Sequence, residues 1–236
     1  CMVRAPARGR PFVREGAVSA FPFDAVIFDM DGVLVDTEFY YQKELEKFID
    51  YLQISVTRDE LNAIVGSSHR DFQQVLVDWH ERAGLGKLSV EAAEARYEVW
   101  ASAYSCDYRK LLNPGVAETL AGLKERGVRV ALASSSPLNN IEEVLGTCGI
   151  REYFEFLVSG EQFKRSKPDP DIYLHAIDRL GLPADRCCCV EDSLYGITAG
   201  KRAGLTVIAK REERFGFSQD AADKIIDQLP DLLELA

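Results

Sequence analysis

Residues 28–38 read FDMDGVLVDTE, directly after the apolar run Ala25-Val26-Ile27. Two aspartates, Asp29 and Asp31, stand one residue apart, and Asp36 follows closely. Carboxylates held that near one another repel, and the arrangement costs stability unless a cation or a shared proton lies between them. A polar turn at the end of a strand accounts for the residues structurally. A site that requires negative charge accounts for them functionally, and the surrounding sequence decides between the two.

From Phe23 onward, short β-rich apolar runs alternate with helical patterns. Strands are expected at 25–29, 128–134, 156–159, 187–191 and 205–209. Helices are expected at 115–126, ending at Gly127, and at 137–148, with Ser136 as N-cap and Pro137 in the first turn. Another opens at Asp169-Pro170 and closes at Gly181. Alternation of this kind predicts βαβ units, and hence a Rossmann-like α/β core with a parallel sheet covered on both faces. Residues 38–112 break the pattern, with helical periodicity at 39–52, 58–65, 69–83 and 90–104 and no convincing strand. They read as an inserted α-helical cap, hinged near Thr37 and 110–114, with Asn113-Pro114-Gly115 marking the return. The core is then 23–37 plus 113–236. The segment 222–235 reads as a short strand and a final amphipathic helix.

Residues 1–22 differ in kind. Arg4, Arg8, Arg10 and Arg14 face a single Glu15 without periodicity or a long apolar stretch, faintly like an organelle transit segment. They are taken as an extension without catalytic role. The chain carries a net charge of −10, which supplies no basic excess for nucleic acid or an acidic membrane surface. No apolar run approaches the roughly 18 residues a membrane span requires. The 6 cysteines include Cys187-Cys188-Cys189 and form no C-x-x-C pair, so they read as reduced, buried thiols in a cytoplasmic, reducing setting.

In an open parallel sheet, ligands bind beyond the carboxyl ends of the strands. Polar signals sit at four such ends: Asp29-x-Asp31-Gly32, then Ser134-Ser135-Ser136, then Lys167 within SKPDP, then Glu191-Asp192-Ser193. Each alone suits a turn or a helix cap. Together they make a phosphoryl-transfer site. Converging carboxylates suit a hard divalent cation such as Mg²⁺, while a lysine and a small hydroxyl suit phosphoryl oxygens. No G-x-x-x-x-G-K-[ST] loop is present, so an acidic nucleophile replaces a P-loop.

These motifs, FDMDGVLVDTE with ASSS, SKPDP and VEDSLYGITAG, resemble the haloacid dehalogenase superfamily in its capped phosphatase branch, over about residues 23–236. The resemblance implies an Mg²⁺-dependent phosphatase of small phosphorylated metabolites, sugar phosphates first. Asp29 would become an aspartyl-phosphate, and Asp31 would protonate the leaving oxygen and then activate water. Asp29, Asp192, Glu191 and the Asp31 carbonyl would hold the metal. Ser134 and Lys167 would hold the phosphoryl group, with Ser135 and Thr37 beside the substrate. Mg²⁺ and Lys167 would draw the pKa of Asp29 down so that it attacks ionised.

Two alternatives remain. A β-phosphoglucomutase relative would carry a histidine in the first cap helix and a clamping arginine in a G-V-S-R loop. Here Tyr41 and Gly66-Ser67-Ser68-His69-Arg70 stand instead, with Arg70 displaced by one position, so hydrolysis is preferred to intramolecular transfer. A non-catalytic phosphate-binding or receiver-like module would not need both Asp29 and Asp31. A monomer or weak homo-oligomer is expected. His69, His80 and His175, and Trp79 and Trp100, fall outside the four motifs and are assigned to packing.

Overall fold

The computed structural model describes residues 21–104 and 106–235. The expected extension therefore lies outside the described residues except for Phe21 and Pro22. Six parallel strands form one sheet: β1 (Ala25–Phe28), β2 (Arg129–Ser134), β3 (Leu157–Ser159), β4 (Cys187–Glu191), β5 (Thr206–Lys210) and β6 (Lys224–Ile226), in the order β3-β2-β1-β4-β5-β6. The strand order reverses direction between β1 and β4, where such sheets open a crevice at their carboxyl edge.

The strands are apolar on both sides because both sides are covered. Val26, Phe28, Val130, Leu132 and Val190 point to one face, against helices α6 (Val116–Glu125) and α7 (Leu138–Thr147). Ala25, Ile27, Ala131, Ala133, Cys187 and Cys189 point to the other, against α8 (Asp171–Leu180) and α9 (Leu194–Arg202). The second face is built of small residues, which lets α9 come close: a Cβ added at Gly200 would lie 2.6 Å from the Cys189 sulfur. The three consecutive cysteines are thus buried strand residues alternating between two cores. Burial raises each of their thiols above the ordinary range.

Between β1 and α6 lie α1 (Thr37–Leu52), α2 (Arg58–Asn62), α3 (His69–Arg82), α4 (Val90–Ala101) and α5 (Tyr108–Leu111). Leu45, Phe48, Leu61, Leu76 and Trp79 give α1 to α4 a hydrophobic core of their own. Entry and exit of this insertion are laced together. The Asp36 amide donates to the Leu111 carbonyl (2.7 Å) and the Asn113 amide to that of Leu34 (2.9 Å). The Asn113 side chain donates to the Val33 carbonyl (2.8 Å). Among the described residues, no helix is long and apolar enough to cross a membrane.

Two local expectations change. Pro137, not Ser136, caps α7, because the Ser136 hydroxyl is engaged elsewhere. The last segment, Leu229–Glu234, is a 3-10 helix rather than an amphipathic α-helix; Pro230, which has no amide to donate, falls in its first turn.

Candidate active site

Strand register assembles the site. Phe28 pairs with Leu132 and with Val190, so the next residue on each strand, Asp29, Ala133 and Glu191, arrives at one level. Lys167, from the loop before α8, reaches that level and joins all three. Its ammonium donates to Asp29 Oδ1 (2.7 Å), to Glu191 Oε1 (2.6 Å) and to the Ala133 carbonyl (3.0 Å). The Tyr173 hydroxyl donates to the same Glu191 oxygen. Lys167 and both carboxylates are buried. Burial alone would lower the lysine pKa, but Asp29 and Glu191 more than reverse it and keep the group charged.

The turn after β1 needs its glycine twice over. Gly32 has φ +76°, a left-handed conformation that side chains resist, and a Cβ there would lie 1.9 Å from Asp192 Oδ2. Asp192 therefore seats against bare backbone. Asp31, on the same turn, accepts from the Thr37 hydroxyl (2.5 Å) and the Ser136 hydroxyl (2.8 Å), with Ser134 Oγ at 3.4 Å. Ser134 itself is fully buried and accepts from the Ser136 amide (3.1 Å).

Asp29, Glu191 and Asp192 each offer a carboxylate oxygen within 4.8 Å of the others. Asp192 Oδ2 is buried with no hydrogen-bond partner. Three oxygen donors, one of them orphaned, fit a hard divalent cation, and the geometry accommodates one. Of the two charges expected to draw Asp29 down, Lys167 is the one present, and it acts in that direction. Burial pushes its carboxyl up to about 8; Lys167 opposes this, but Glu191 and Asp31 add to it. One lysine shared by two carboxylates is too little positive charge. Asp192 is raised for the same reasons, burial first and then the charges of Glu38 and Asp29.

Above the carboxylates lies a cavity of about 360 Å³. Asp29, Asp31, Lys167, Ser135, Ser136 and Ser193 form its floor. The helical insertion contributes Glu38, Tyr41, Leu45, Phe72 and Tyr97, among others. Glu38 accepts from the Gly66 amide (2.9 Å), and burial, with Asp31 nearby, pushes it up to about 8. Gly66 has φ +70°, and a Cβ there would meet the Ser193 Cβ at 2.6 Å, so the 64–68 loop presses directly onto the sheet domain. The Tyr41 hydroxyl lies 3.2 Å from that of Tyr108, and burial and Asp31 hold it protonated.

Most of the expected residues converge here: Asp29, Asp31, Ser134, Ser135, Lys167, Glu191 and Asp192. Thr37 also arrives, bonded to Asp31. Arg70 does not. It is exposed and donates to the Lys164 carbonyl (3.1 Å), because Ser68 caps α3 and successive residues of the first turn diverge by about 100°. His69, one position earlier, lines the cavity instead, with Nε2 2.8 Å from Glu94 Oε1. His80 and His175 are packing residues, as expected: the first bonds the Leu76 carbonyl (2.7 Å) and the second meets Phe163 edge-on.

A brace from the opposite side had no sequence signal. The Gln219 amide donates to the Asp192 carbonyl (2.6 Å) and to that of Lys210 (2.8 Å), and its oxygen accepts from the Glu212 amide (3.0 Å). In the same loop, Arg214 grips Asp36 with two bonds (2.9 and 2.7 Å) and lies over the Phe39 ring. The Phe215 carbonyl accepts from Asn62 of α2 (2.9 Å).

Residues 23–204 match the haloacid dehalogenase-like hydrolase family. The chain belongs to it. As a haloacid dehalogenase-like hydrolase it is an enzyme, and it resembles characterised members over most of its length. It is 34% identical over 185 residues to the phosphorylated carbohydrates phosphatase of Thermotoga maritima, covering 77% of this chain and 82% of that one. It is 35% identical to hexitol phosphatase B of Escherichia coli K12, covering 78% and 82% respectively. The crystal structure of β-phosphoglucomutase from Clostridium difficile superposes with a TM-score of 0.71 over 89% of this chain and 93% of that one, at 22% identity. At that identity the likeness establishes the fold alone.

Proposed function

We propose that this haloacid dehalogenase-like hydrolase is an Mg²⁺-dependent phosphatase acting on small phosphorylated metabolites, sugar phosphates first, through an aspartyl-phosphate on Asp29. The observation that carries the proposal is the pair of unlike environments around two neighbouring aspartates. Asp29 is buried against Lys167, with Glu191 and Asp192 beside it, and Asp31 stands free of Lys167, on hydroxyl donors. One is set to attack and the other to exchange a proton.

Asp29, Asp192 and Glu191, the last already tied to Lys167 and Tyr173, would hold the metal with the Asp31 carbonyl. Bound Mg²⁺ supplies the positive charge that Lys167 alone does not, favouring ionised Asp29 and screening the phosphoryl oxygens. Asp29 then attacks phosphorus as the bond to the ester oxygen breaks. Asp31, oriented by Thr37 and Ser136, delivers a proton to that oxygen and the alcohol leaves. Asp31 next takes a proton from water, which attacks the phosphorus and returns Asp29. Lys167, Ser135 and the main chain around Ser134 steady the phosphoryl group. Residues 38–112 serve as a cap over the cavity, resting on the core where Gly66 meets Ser193.

Hydrolysis is preferred to mutase chemistry on two counts. Tyr41 is a protonated phenol bonded to Tyr108 and supplies no positive charge, and Arg70 is engaged outside the cavity. The test is phosphate release from a panel of phosphomonoesters with Mg²⁺, by wild type and Asp29→Asn. Asp29→Asn is expected to fall to background; wild-type rates in that variant would exclude the covalent route. Isomerised sugar without phosphate release would exclude the phosphatase.

A further inference from the structure

The two halves of the cavity differ in chemistry. The floor carries the carboxylates, Lys167 and serines. The wall supplied by the helical insertion is apolar at Leu45, Ile64, Phe72 and Tyr97, with the hydroxyl residues Tyr41, Ser67 and Ser68 beside them, and Phe72 and Tyr97 meet edge-on with centroids 5.3 Å apart. Among the described residues lining the cavity, Lys167 is the only lysine or arginine, and Asp29 and Glu191 already divide its charge. His69, at the edge of the wall, is committed through Nε2 to Glu94, whose other oxygen accepts from Gln73 (2.7 Å). Glu38 adds a carboxyl to the same wall.

We infer that the alcohol released by this enzyme is uncharged, carries no second phosphate or carboxylate, and turns an apolar face to Leu45, Ile64, Phe72 and Tyr97. The inference rests on the phosphatase assignment above and adds its substrate class. A second anion placed in this half would lose water and meet no lysine or arginine of the wall. Selection against it is built from what the wall lacks as much as from what it offers. The C–H face of a sugar or sugar alcohol, or a deoxygenated carbon, loses little water there and covers aromatic and aliphatic surface. His69 Nδ1, the ring nitrogen that Glu94 leaves over, suits a hydroxyl at the far end of such a molecule.

The test uses the full chain with Mg²⁺ and four probes: glucose 6-phosphate, 2-deoxyglucose 6-phosphate, fructose 1,6-bisphosphate and phosphoglycolate. The expected kcat/KM for both monophosphates of neutral sugars exceeds that for the bisphosphate and for phosphoglycolate by about tenfold or more. The deoxy sugar should match or exceed glucose 6-phosphate. In Phe72→Arg, which places a cation on the wall, the ratio should move towards the bisphosphate by about tenfold. A bisphosphate or phosphoglycolate within tenfold of the monophosphates overturns the inference and leaves the phosphatase assignment standing, as does a preference for glucose 6-phosphate over its deoxy form. An unchanged ratio in folded Phe72→Arg also counts against it; if that variant does not fold, the wild-type ordering decides. Absence of phosphate release from all four, with Asp29→Asn indistinguishable from wild type, removes the phosphatase assignment itself.

Discussion

Asp192→Asn separates the energetic cost of the site from its use. In the metal-free protein Asp192 Oδ2 is buried without a partner, and burial with the charges of Glu38 and Asp29 raises its pKa. At neutral pH the folded state therefore either keeps a proton that the unfolded chain has released or holds a charge that nothing balances. Both penalise folding. Each unit by which that pKa stands above its unfolded value costs about 1.4 kcal/mol once the unfolded chain has released the proton, a cost that asparagine, neutral in both states, does not carry. For a chain of this size each kcal/mol moves Tm by about 2–4 °C, so the asparagine variant should melt about 3–6 °C higher than wild type in EDTA at pH 7 for each such unit. The sign follows from linkage. A carboxyl whose folded pKa lies above its unfolded value stabilises at low pH, and that stability is lost as pH rises from the unfolded value towards the folded one. The gap between variant and wild type should thus widen from pH 5 to 8, by at most about 1.4 kcal/mol per pH unit. Added Mg²⁺ should reverse the order, since a ligand at a hundred times its Kd stabilises the wild type by about 2.7 kcal/mol and the variant loses a ligand atom. Thermal melts across pH, with EDTA or Mg²⁺, measure all three effects. Asp192→Asn melting below wild type in EDTA while keeping a full Mg²⁺ shift would refute the reasoning.

Lys167→Met leaves Asp29 and Glu191 buried with no counter-charge, and urea titration should find it about 3–5 kcal/mol less stable in EDTA; a loss under 1 kcal/mol would mean the pair is balanced otherwise. Gly32→Ala places a Cβ on Asp192 Oδ2 at a left-handed position, so phosphate release should vanish and the Mg²⁺-dependent rise in Tm should shrink sharply. Thr37→Val removes the 2.5 Å donor from Asp31 and should lower kcat by about tenfold with KM little changed, because the hydroxyl orients the acid rather than the substrate. An unaltered kcat would free Asp31 from its dependence on Thr37.

The sheet and its carboxyl edge were legible because short buried strands between turn signals leave few alternatives, and chemistry-bearing residues then fall at strand ends by counting. Register did part of the rest: Asp29 and Glu191 meet because neighbouring parallel strands end level, and Lys167 reaches both from the loop before α8. What the sequence did not disclose depends on side-chain direction. Ser136 follows a strand and precedes a helix, which suits an N-cap, yet its hydroxyl bonds Asp31 and Pro137 takes the cap. His69 and Arg70 are adjacent letters, and only the helix phase set by Ser68 tells which one turns to the cavity. Glu38 stood in the decisive stretch without a role, because its partner, the Gly66 amide, is remote in sequence. Tyr173 and Gln219 belong to no motif and act through single long-range bonds.

The loop around residues 212–219 ties together parts that motion would otherwise separate. It holds the Asp192 backbone through Gln219, the residue preceding α1 through Arg214, and α2 through the Phe215 carbonyl. If the helices lift from the sheet to admit substrate, those bonds must break or the loop must travel, and its far end is fastened to the backbone of a metal-ligand candidate. Entry of substrate and retention of an ion would then not be independent rates, because a single strap outside the cavity lining holds the parts that govern both.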